Sequence, residues 1–409
     1  MKRKATFGGI AILLGALACN SAAPRVQDST NPLQTPAVDR TIETVTETVS
    51  PPTPTPAASL GPENVDQLTY LHAYWPAVFA EAEPVAGEEW EMLPTWVALA
   101  ITLSPDGRYV GIGGCTIGGF TGGESGRAWC GVRDDPSDDQ DHRTLGFIVN
   151  AETEQVISRL PDYPADTTIT DLDFTHDGEK LLIATDPGKV EVLNVVSGQV
   201  GSVVWQGVGY PLVTISPDDR WAALSDFQQV NIIDLATGDT LAQLSESYSL
   251  LAPAPYVSSD GTRLAILDTD GFRIFETATW TEVGATAFPC IDSCLAAFSH
   301  DLGLLAIWEN GDEQVQIRAT ATGATLQTIS IDQQELMGME FTADDRMLMA
   351  ATADGFFRFG RTDTGEALAS YPMGAPPPVG FQGYFLKFSD DGRSFLAPSM
   401  VGIDLYGLP

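Results

Sequence analysis

The sequence predicts an all-β fold built from seven copies of one unit, and two recurring patterns support this prediction. The first is an apolar run, a Ser/Thr-x-Asp turn and a second apolar run, seen first around "SPDGR" at Ser104–Arg108. Pro presets φ, Asp bonds its own backbone and Gly accepts positive φ, so the pattern indicates a tight hairpin. The seven turn aspartates are Asp106, Asp177, Asp218, Asp260, Asp301, Asp344 and Asp391.

The spacing of these turns defines the repeat. The step from Asp106 to Asp177 is 71 residues, and the later steps are 41, 42, 41, 43 and 47 residues. Between the turns, alternating apolar residues flank a Thr/Ser-Gly turn, as in "VNIIDLATGDTLAQL", which indicates another hairpin. Four short strands over about 40 to 45 residues are typical of a β-propeller blade. The sequence therefore predicts a seven-bladed propeller of four-stranded antiparallel blades, with a long insertion in the first blade.

These units resemble the blades of bacterial WD40-like propellers with SPDG repeats. In that family the "SPDG" turn joins strands a and b of a blade, and a D-x-x-T-G turn joins strands c and d. The similarity covers about Val97 to Tyr406, although the Gly-His and Trp-Asp pairs of eukaryotic WD repeats do not recur. The resemblance implies the fold and says little about function.

The seventh unit ends with "VGIDLYGLP", which supplies a strand c at Gly402 to Tyr406 but no strand d. An open ring would expose a strand edge and invite aggregation. We expect the missing strand to come from the N-terminal side, with Leu68 to Tyr74 as the candidate within "ENVDQLTYLHAYW". A short helix that caps the ring is the alternative.

The first 19 residues have the pattern of a signal peptide. Lys2, Arg3 and Lys4 precede the apolar stretch Phe7 to Ala18, which is too short to span a bilayer. "ALAC", ending at Cys19, resembles a bacterial lipobox, which implies that Cys19 is lipidated. An ordinary signal peptide with an incidental cysteine remains the alternative.

Residues 20–62 are rich in Pro, Thr and Ser, as in "SPPTPTPAAS". Such a segment cannot bury enough apolar area to offset its ordering entropy, so we expect a disordered tether. Residues 63–409 then form the propeller. A membrane contact would be made through the lipid anchor alone, at the cell surface or in the periplasm.

Four cysteines remain after Cys19 is set aside. An even number in an exported protein favours two disulfides, and sequence proximity suggests that Cys115 pairs with Cys130 and Cys290 with Cys294. A zinc site is the alternative, but no second Cys or His pair lies nearby.

The formal net charge is −34. Loss of the three basic residues of the signal peptide would make it about −37. This acidity argues against nucleic-acid binding, because phosphate backbones require basic surfaces. We expect a monomer without cofactor or metal. The acidic run Asp134 to Asp141 could bind calcium, but it lacks the order of an EF-hand loop and fits a solvated loop better.

Motifs of hydrolases and zinc proteases, such as G-x-S-x-G and H-E-x-x-H, do not occur, and the chain has only four histidines. Polar positions on the innermost strands are the nearest alternative site. We expect Glu340 and Lys387 to form an ion pair in the channel, and Asp171 and Asp173 to hold water or a cation. A wet channel lined by satisfied polar groups is the simpler interpretation.

Strand direction places all b-to-c and d-to-a connections on one face of the disc. The longest connections predicted from the sequence are of these two kinds, so this "loop-rich face" is the candidate binding surface. Its aromatic anchors would be Trp90, Trp129, Trp205, Tyr210, Tyr248 and Phe381.

The functional prediction is a non-catalytic extracytoplasmic lipoprotein that binds a protein, peptide or glycan on its loop-rich face. The alternative is a lactonase-like or glycan-cleaving hydrolase at the channel mouth. Three or more ionisable groups converging at that mouth, beside a deep pocket, would favour the hydrolase.

Overall fold

The structure is a computed structural model of the chain. It describes residues 59–73, 96–116, 144–164, 167–207, 209–226, 229–245, 255–268, 271–287, 294–309, 311–332, 335–374, 386–399 and 402–408. The chain divides into two units, Met1–Pro54 and Thr55–Pro409, and all the described residues belong to the second. No helix in this described part is long and apolar enough for a membrane span.

Seven four-stranded antiparallel sheets form the blades, which confirms the predicted fold class. The strands of the first four blades follow. The first blade has β2 (Trp96–Leu103), β3 (Tyr109–Thr116), β4 (Thr144–Asn150) and β5 (Val156–Arg159). The second has β6 (Thr168–Phe174), β7 (Lys180–Asp186), β8 (Lys189–Asn194) and β9 (Val200–Gln206). The third has β10 (Leu212–Ile215), β11 (Trp221–Ser225), β12 (Gln229–Asp234) and β13 (Thr240–Ser245). The fourth has β14 (Tyr256–Val257), β15 (Arg263–Asp268), β16 (Gly271–Glu276) and β17 (Thr281–Ala287).

The last three blades have the same order. The fifth has β18 (Cys294–Phe298), β19 (Leu304–Glu309), β20 (Gln314–Ala319) and β21 (Thr325–Ser330). The sixth has β22 (Leu336–Phe341), β23 (Met347–Thr352), β24 (Phe356–Arg361) and β25 (Ala367–Pro372). The seventh has β26 (Lys387–Phe388), β27 (Ser394–Ser399) and β28 (Gly402–Gly407) from the C-terminal end, and β1 (Thr69–Ala73) from the N-terminal end.

Each a-to-b turn is built around a buried hydroxyl. In every repeat the Ser or Thr side chain donates to the aspartate two residues later, at 2.6 to 2.8 Å. The same oxygen accepts the backbone N–H of the residue five positions on, and the aspartate accepts the N–H two positions beyond itself. The repeated sequence pattern is therefore a repeated hydrogen-bond network.

The apolar core consists of seven clusters, each shared by two neighbouring blades. Between the seventh and first blades, Leu396 and Leu405 pack against Val110 and Ile112, which are fully buried. Alternating strand residues face the preceding and the following blade, so burial at every blade junction stabilises the ring.

The N-terminal strand β1 supplies the fourth strand of the last blade. It pairs antiparallel with β28, with Thr69 opposite Gly407 and Tyr70 opposite Tyr406, and it falls within the predicted segment Leu68 to Tyr74. A single 3-10 turn, Val65–Gln67, precedes it. The N-terminal part of the chain therefore covers the edge that β28 would otherwise expose.

Residues just before this strand also pack on the ring, although the sequence assigned Ser59 to Pro62 to the tether. Leu60 is only 2% exposed and joins Val65 and Leu68 in the apolar cluster between the sixth and seventh blades. Its backbone N–H donates to the carbonyl of Gly392 at 2.8 Å. The packed region therefore extends at least to Ser59.

We expect removal of residues 1–58 to leave the propeller folded, because the shortened chain keeps Leu60, Val65, Leu68 and β1, which pack on the ring. Removal of residues 1–73 also deletes Leu60 and β1, so it should lower the melting temperature strongly and cause aggregation through β28. Calorimetry and size-exclusion chromatography of the two truncated chains measure this. Equal stability would contradict closure by the N-terminal strand.

Candidate functional site

The innermost strands of the blades line the centre of the disc, where neighbouring first strands contact one another. Of the predicted channel residues, Asp173, Glu340 and Lys387 lie two positions before the turn hydroxyl and pair with the second strand in the same register; Asp173 lies opposite Leu182 and Glu340 opposite Met349. Asp171 lies two residues before Asp173 on the same strand. The seven positions are occupied by Thr102, Asp173, Thr214, Tyr256, Ala297, Glu340 and Lys387.

Two carboxylates of the second blade hold the third blade in place. Asp171 Oδ2 accepts the backbone N–H of Val213 at 2.9 Å, and Asp173 Oδ2 accepts that of Ile215 at 3.0 Å. Asp171 Oδ1 also accepts the N–H of Leu172 at 2.9 Å. Three of their four carboxylate oxygens thus accept backbone N–H groups, and a bound water or cation at these two residues stays a prediction.

Lys387 pairs with Asp173, not with Glu340 as the sequence suggested. Its Nζ lies 3.5 Å from Asp173 Oδ1, a contact between the seventh and second blades that passes the first. The charge of Asp173 raises the pKa of Lys387 against the effect of burial, and Asp171, Asp390 and Glu340 add to it. Nearly half of the Lys387 side chain stays accessible in the channel, at 46%. The ammonium therefore remains charged and links the second and seventh blades across the inner end of the first.

Two channel carboxyls hold their protons unusually well. Burial raises the pKa of Glu340 to about 7, although the charges of His300 and Lys387 oppose the shift. Burial likewise raises the pKa of Asp171 to about 7, opposed by its hydrogen bond from Val213. Chemically, these groups can exchange protons near neutral pH.

Side-chain hydroxyls tie further innermost strands to the next blade. These bonds run from one blade to a backbone carbonyl of its neighbour, so they satisfy polar groups inside the ring. Thr170 donates to Pro211 at 2.5 Å, Thr214 to Pro255 at 2.6 Å, and Tyr256 to Ala296 at 3.2 Å.

The opposite face carries carboxylate clamps that the sequence analysis missed. In the third blade Asp219 replaces the turn glycine, with φ at 57°. Its carboxylate accepts the backbone N–H groups of His176 at 2.7 Å and Asp177 at 3.1 Å, both from the second blade. The His176 ring also reaches Asp390 of the seventh blade, with Nε2 3.6 Å from Oδ2.

The same clamp joins the fifth and sixth blades. Asp345, again at the glycine position with φ at 57°, accepts the N–H groups of His300 at 2.8 Å and Asp301 at 3.3 Å. Burial lowers the pKa of His300, but the hydrogen bond to Asp345 and the charge of Glu340 outweigh it and raise the pKa overall. The sequence does contain a signal for these clamps. Each of the two repeats with His in its a-to-b turn is followed by a repeat whose turn contains Asp-Asp.

Of the predicted aromatic anchors, the structure describes Trp205 and Tyr210. Trp205 is half-buried, packs on the apolar cluster between the second and third blades, and lines a cleft there. Tyr210 is half-buried in the connection from β9 to β10. The other four anchors, Trp90, Trp129, Tyr248 and Phe381, lie outside the described residues.

Cys294 at the start of β18 is disulfide-bonded, and its pairing with Cys290 stays a prediction because Cys290 lies outside the described residues. Cys115 lies in β3, while Cys130, Cys19 and the run Asp134 to Asp141 also fall outside them. Within the described part of the chain, no three His, Cys, Asp or Glu side chains are grouped to hold a metal ion.

Substitution Glu340→Gln should change how stability depends on pH. The folded chain holds the Glu340 proton up to about pH 7, above the ordinary pKa of 4.5, so ionisation costs stability in between. The variant should therefore gain melting temperature relative to the parent as the pH rises through that interval, and the difference should be constant above it. Glu366→Gln, which removes an exposed carboxyl from the same blade, is the control. Parallel curves for Glu340→Gln and the parent would contradict the shifted pKa.

No protein-family model and no curated protein matches the sequence. Many solved structures share the fold. One is a chain from the crystal structure of the mitotic checkpoint complex, which is 13% identical with a TM-score of 0.57; the match covers 80% of this chain and 95% of that one. At this identity the likeness concerns the fold alone. Together with the blade topology, it supports a WD40-like seven-bladed β-propeller.

Proposed function

We propose that this chain is a non-catalytic, extracytoplasmic lipoprotein whose propeller binds a protein, peptide or glycan ligand on its loop-rich face. The observation that carries the proposal is the difference between the two faces. The strands run antiparallel in every blade, so all b-to-c and d-to-a connections leave from one face. Six of these connections have six or more residues between the strands that they join, at 74–95, 117–143, 160–167, 246–255, 288–293 and 373–386. Binding function on a repeat scaffold concentrates where connections vary.

The other face offers less to a ligand. Its turns are fixed by the repeated hydroxyl-to-aspartate bonds, and carboxylate clamps join the second blade to the third and the fifth to the sixth. Backbone groups used in this way are not available to a partner. The loop-rich face is therefore the better candidate for recognition.

Binding is favoured over hydrolysis because three of the four channel groups, Asp171, Asp173 and Lys387, already have structural partners. A hydrolase needs carboxylates or a base free to reach the substrate. Asp171 and Asp173 accept backbone amides of the next blade, and Asp173 also pairs with Lys387. These contacts support a channel that holds the ring together.

Membrane attachment rests on the sequence. The basic residues, the short apolar stretch and "ALAC" at Ala16 to Cys19 fit a lipoprotein signal. The Pro- and Thr-rich segment that follows would hold the propeller away from the membrane surface.

Breaking the proposed Cys115 to Cys130 disulfide should loosen the loop-rich face without unfolding the ring. A loop of about 15 residues loses about 3 kcal/mol of chain-entropy stabilisation, while the blades are held by apolar packing. With parent and variant both prepared as the full-length mature chain without the Cys19 acyl group, so that membrane insertion does not contribute, the paired Cys115→Ser, Cys130→Ser variant should bind purified native cell envelope at least tenfold more weakly, with unchanged far-UV circular dichroism. Arg108→Ala, an exposed change on the opposite face, is the control and should bind normally. Unchanged binding by the double variant would contradict the loop-rich face as the site.

Labelled palmitate should appear in the mature protein and disappear in Cys19→Ala, because only the cysteine of a lipobox is acylated at the new N-terminus. Mass spectrometry of the N-terminal peptide checks the same point. A mature N-terminus at another residue would contradict the lipoprotein assignment.

A further inference from the structure

A polar cleft of about 460 Å³ lies between the second and third blades. One wall is the end of β9, where Val204, Trp205 and Gln206 follow one another. The other wall is formed by alternate residues of β12 and by their neighbours on β13. These residues are Gln229, Asn231, Ile233, Thr240 and Gln243. The volume falls within the range of about 300 to 1,000 Å³ that is usual for small-molecule sites.

The repeat allows the residue at the position of Asn231 to be compared between blades. Pairing with the second strand makes Glu191 its equivalent in the second blade and Arg358 its equivalent in the sixth. Each of these charged groups is met from the preceding blade. The Tyr163 hydroxyl donates to Glu191 at 3.2 Å, and Arg358 Nε donates to Asp332 at 3.3 Å. These two junctions are thus bridged from within the chain.

The junction between the fifth and sixth blades also shows the effect on volume. Its cleft, which Arg358 and Asp332 line, measures about 180 Å³. The cleft beside Asn231 is more than twice as large, at about 460 Å³. The larger space therefore coincides with a smaller, neutral side chain at the shared position.

Asn231 has an unused hydrogen-bond donor. The side chain is only 2% exposed, and its Oδ1 accepts a hydrogen bond from Gln243 at 3.1 Å. Its Nδ2 is buried without a hydrogen-bond partner among the described residues. A buried amide nitrogen without an acceptor costs stability. Gln243 is exposed and can swing away, which would let an acceptor atom of a ligand reach this nitrogen.

The lining chemistry selects among ligand classes. Amide side chains, which donate and accept, alternate with the hydroxyl of Thr240 and the carboxylate of Asp226. None of the described residues that line the cleft is basic, which disfavours a phosphate, sulfate or carboxylate ligand. The half-buried ring of Trp205 gives an apolar surface beside these polar groups. Sugars need this combination, since their rings have an apolar face and a rim of hydroxyls.

We infer that the cleft between the second and third blades binds a neutral sugar ring, held by Asn231, Gln243 and Gln206 and stacked on Trp205. This inference narrows the proposed function to glycan recognition, and it rests on that function only in assuming a binding protein. Gln206, the last residue of β9, and Asp226, which follows β11, line the end of the cleft that lies at the loop-rich face. A glycan chain that enters it could therefore continue over that face.

Isothermal titration of the full-length mature chain with maltose, cellobiose, lactose and N,N′-diacetylchitobiose tests the inference, and glucose 6-phosphate and triglycine serve as comparison probes. We expect saturable binding of at least one neutral disaccharide in the millimolar range or tighter. Asn231→Asp, which replaces the free donor by an acceptor, should weaken this binding at least tenfold, as should Trp205→Ala. Gln316→Glu makes the same amide-to-carboxylate change at the equivalent position of the fifth blade and should leave it unchanged.

Melting curves show whether each variant is folded, and Gln206→Ala, at an exposed position, provides a second test of the same wall. Three results would overturn the inference. They are the absence of saturable sugar binding, sugar binding that Asn231→Asp, Trp205→Ala and Gln206→Ala all leave unchanged, and binding of triglycine alone. The two proposals fail separately. Sugar binding should survive in the Cys115→Ser, Cys130→Ser variant, whereas envelope binding through the loop-rich face should not.

Discussion

The hydrogen bond from a buried Ser or Thr hydroxyl to the aspartate two residues later is the constraint on which the rest of the structure depends. It occurs in all seven repeats, and the seven hydroxyl residues are no more than 3% exposed. By fixing the a-to-b turn, this bond sets the register of the hairpin, and a slip of one residue would turn every apolar side chain to the wrong side. The network tolerates loss of the turn glycine, since Asp219, Leu302 and Asp345 adopt positive φ at that position.

That tolerance gives the turns a second use. Where aspartate replaces glycine, its carboxylate reaches the backbone of the preceding blade, so the turn that shapes one hairpin also positions its neighbour. The channel follows the same logic, with Asp171 and Asp173 binding amides of the third blade. Asp171 and Asp173 at the centre, and Asp219 and Asp345 on one face, are thus occupied by blade-to-blade contacts. The proposed recognition therefore falls on the loop-rich face and on the junctions between blades, where side chains are not used in this way.

The fold could be predicted from the sequence because each repeat carries its own turn chemistry and apolar alternation, which are local signals. The candidate site could be predicted only in part, because contacts across the ring have no local signature. Lys387 of the seventh blade pairs with Asp173 of the second blade. A comparison of equivalent positions in adjacent blades does not predict this contact, because the first blade lies between them. Leu60 lies in a Pro-rich stretch that resembles a tether, yet it is buried against the last blade. The unpartnered Nδ2 of Asn231 likewise has no signal in the sequence, because it is recognised only by comparing the hydrogen bonds of equivalent residues on the third strands of the blades.

Quasi-equivalence explains how such a scaffold can acquire a site without changing its fold. The position of Asn231 is occupied by Phe147, Glu191, Arg273, Gln316, Arg358 and Asp404 in the other blades. The apolar residues on either side of it stay buried in nearly every case, so the backbone pairing does not depend on this side chain. Stability is carried by the clusters between blades, and the identity of one residue per junction is free to vary. A junction that keeps an ion pair is a rigid contact, whereas one that carries a small amide leaves space that a ligand can use.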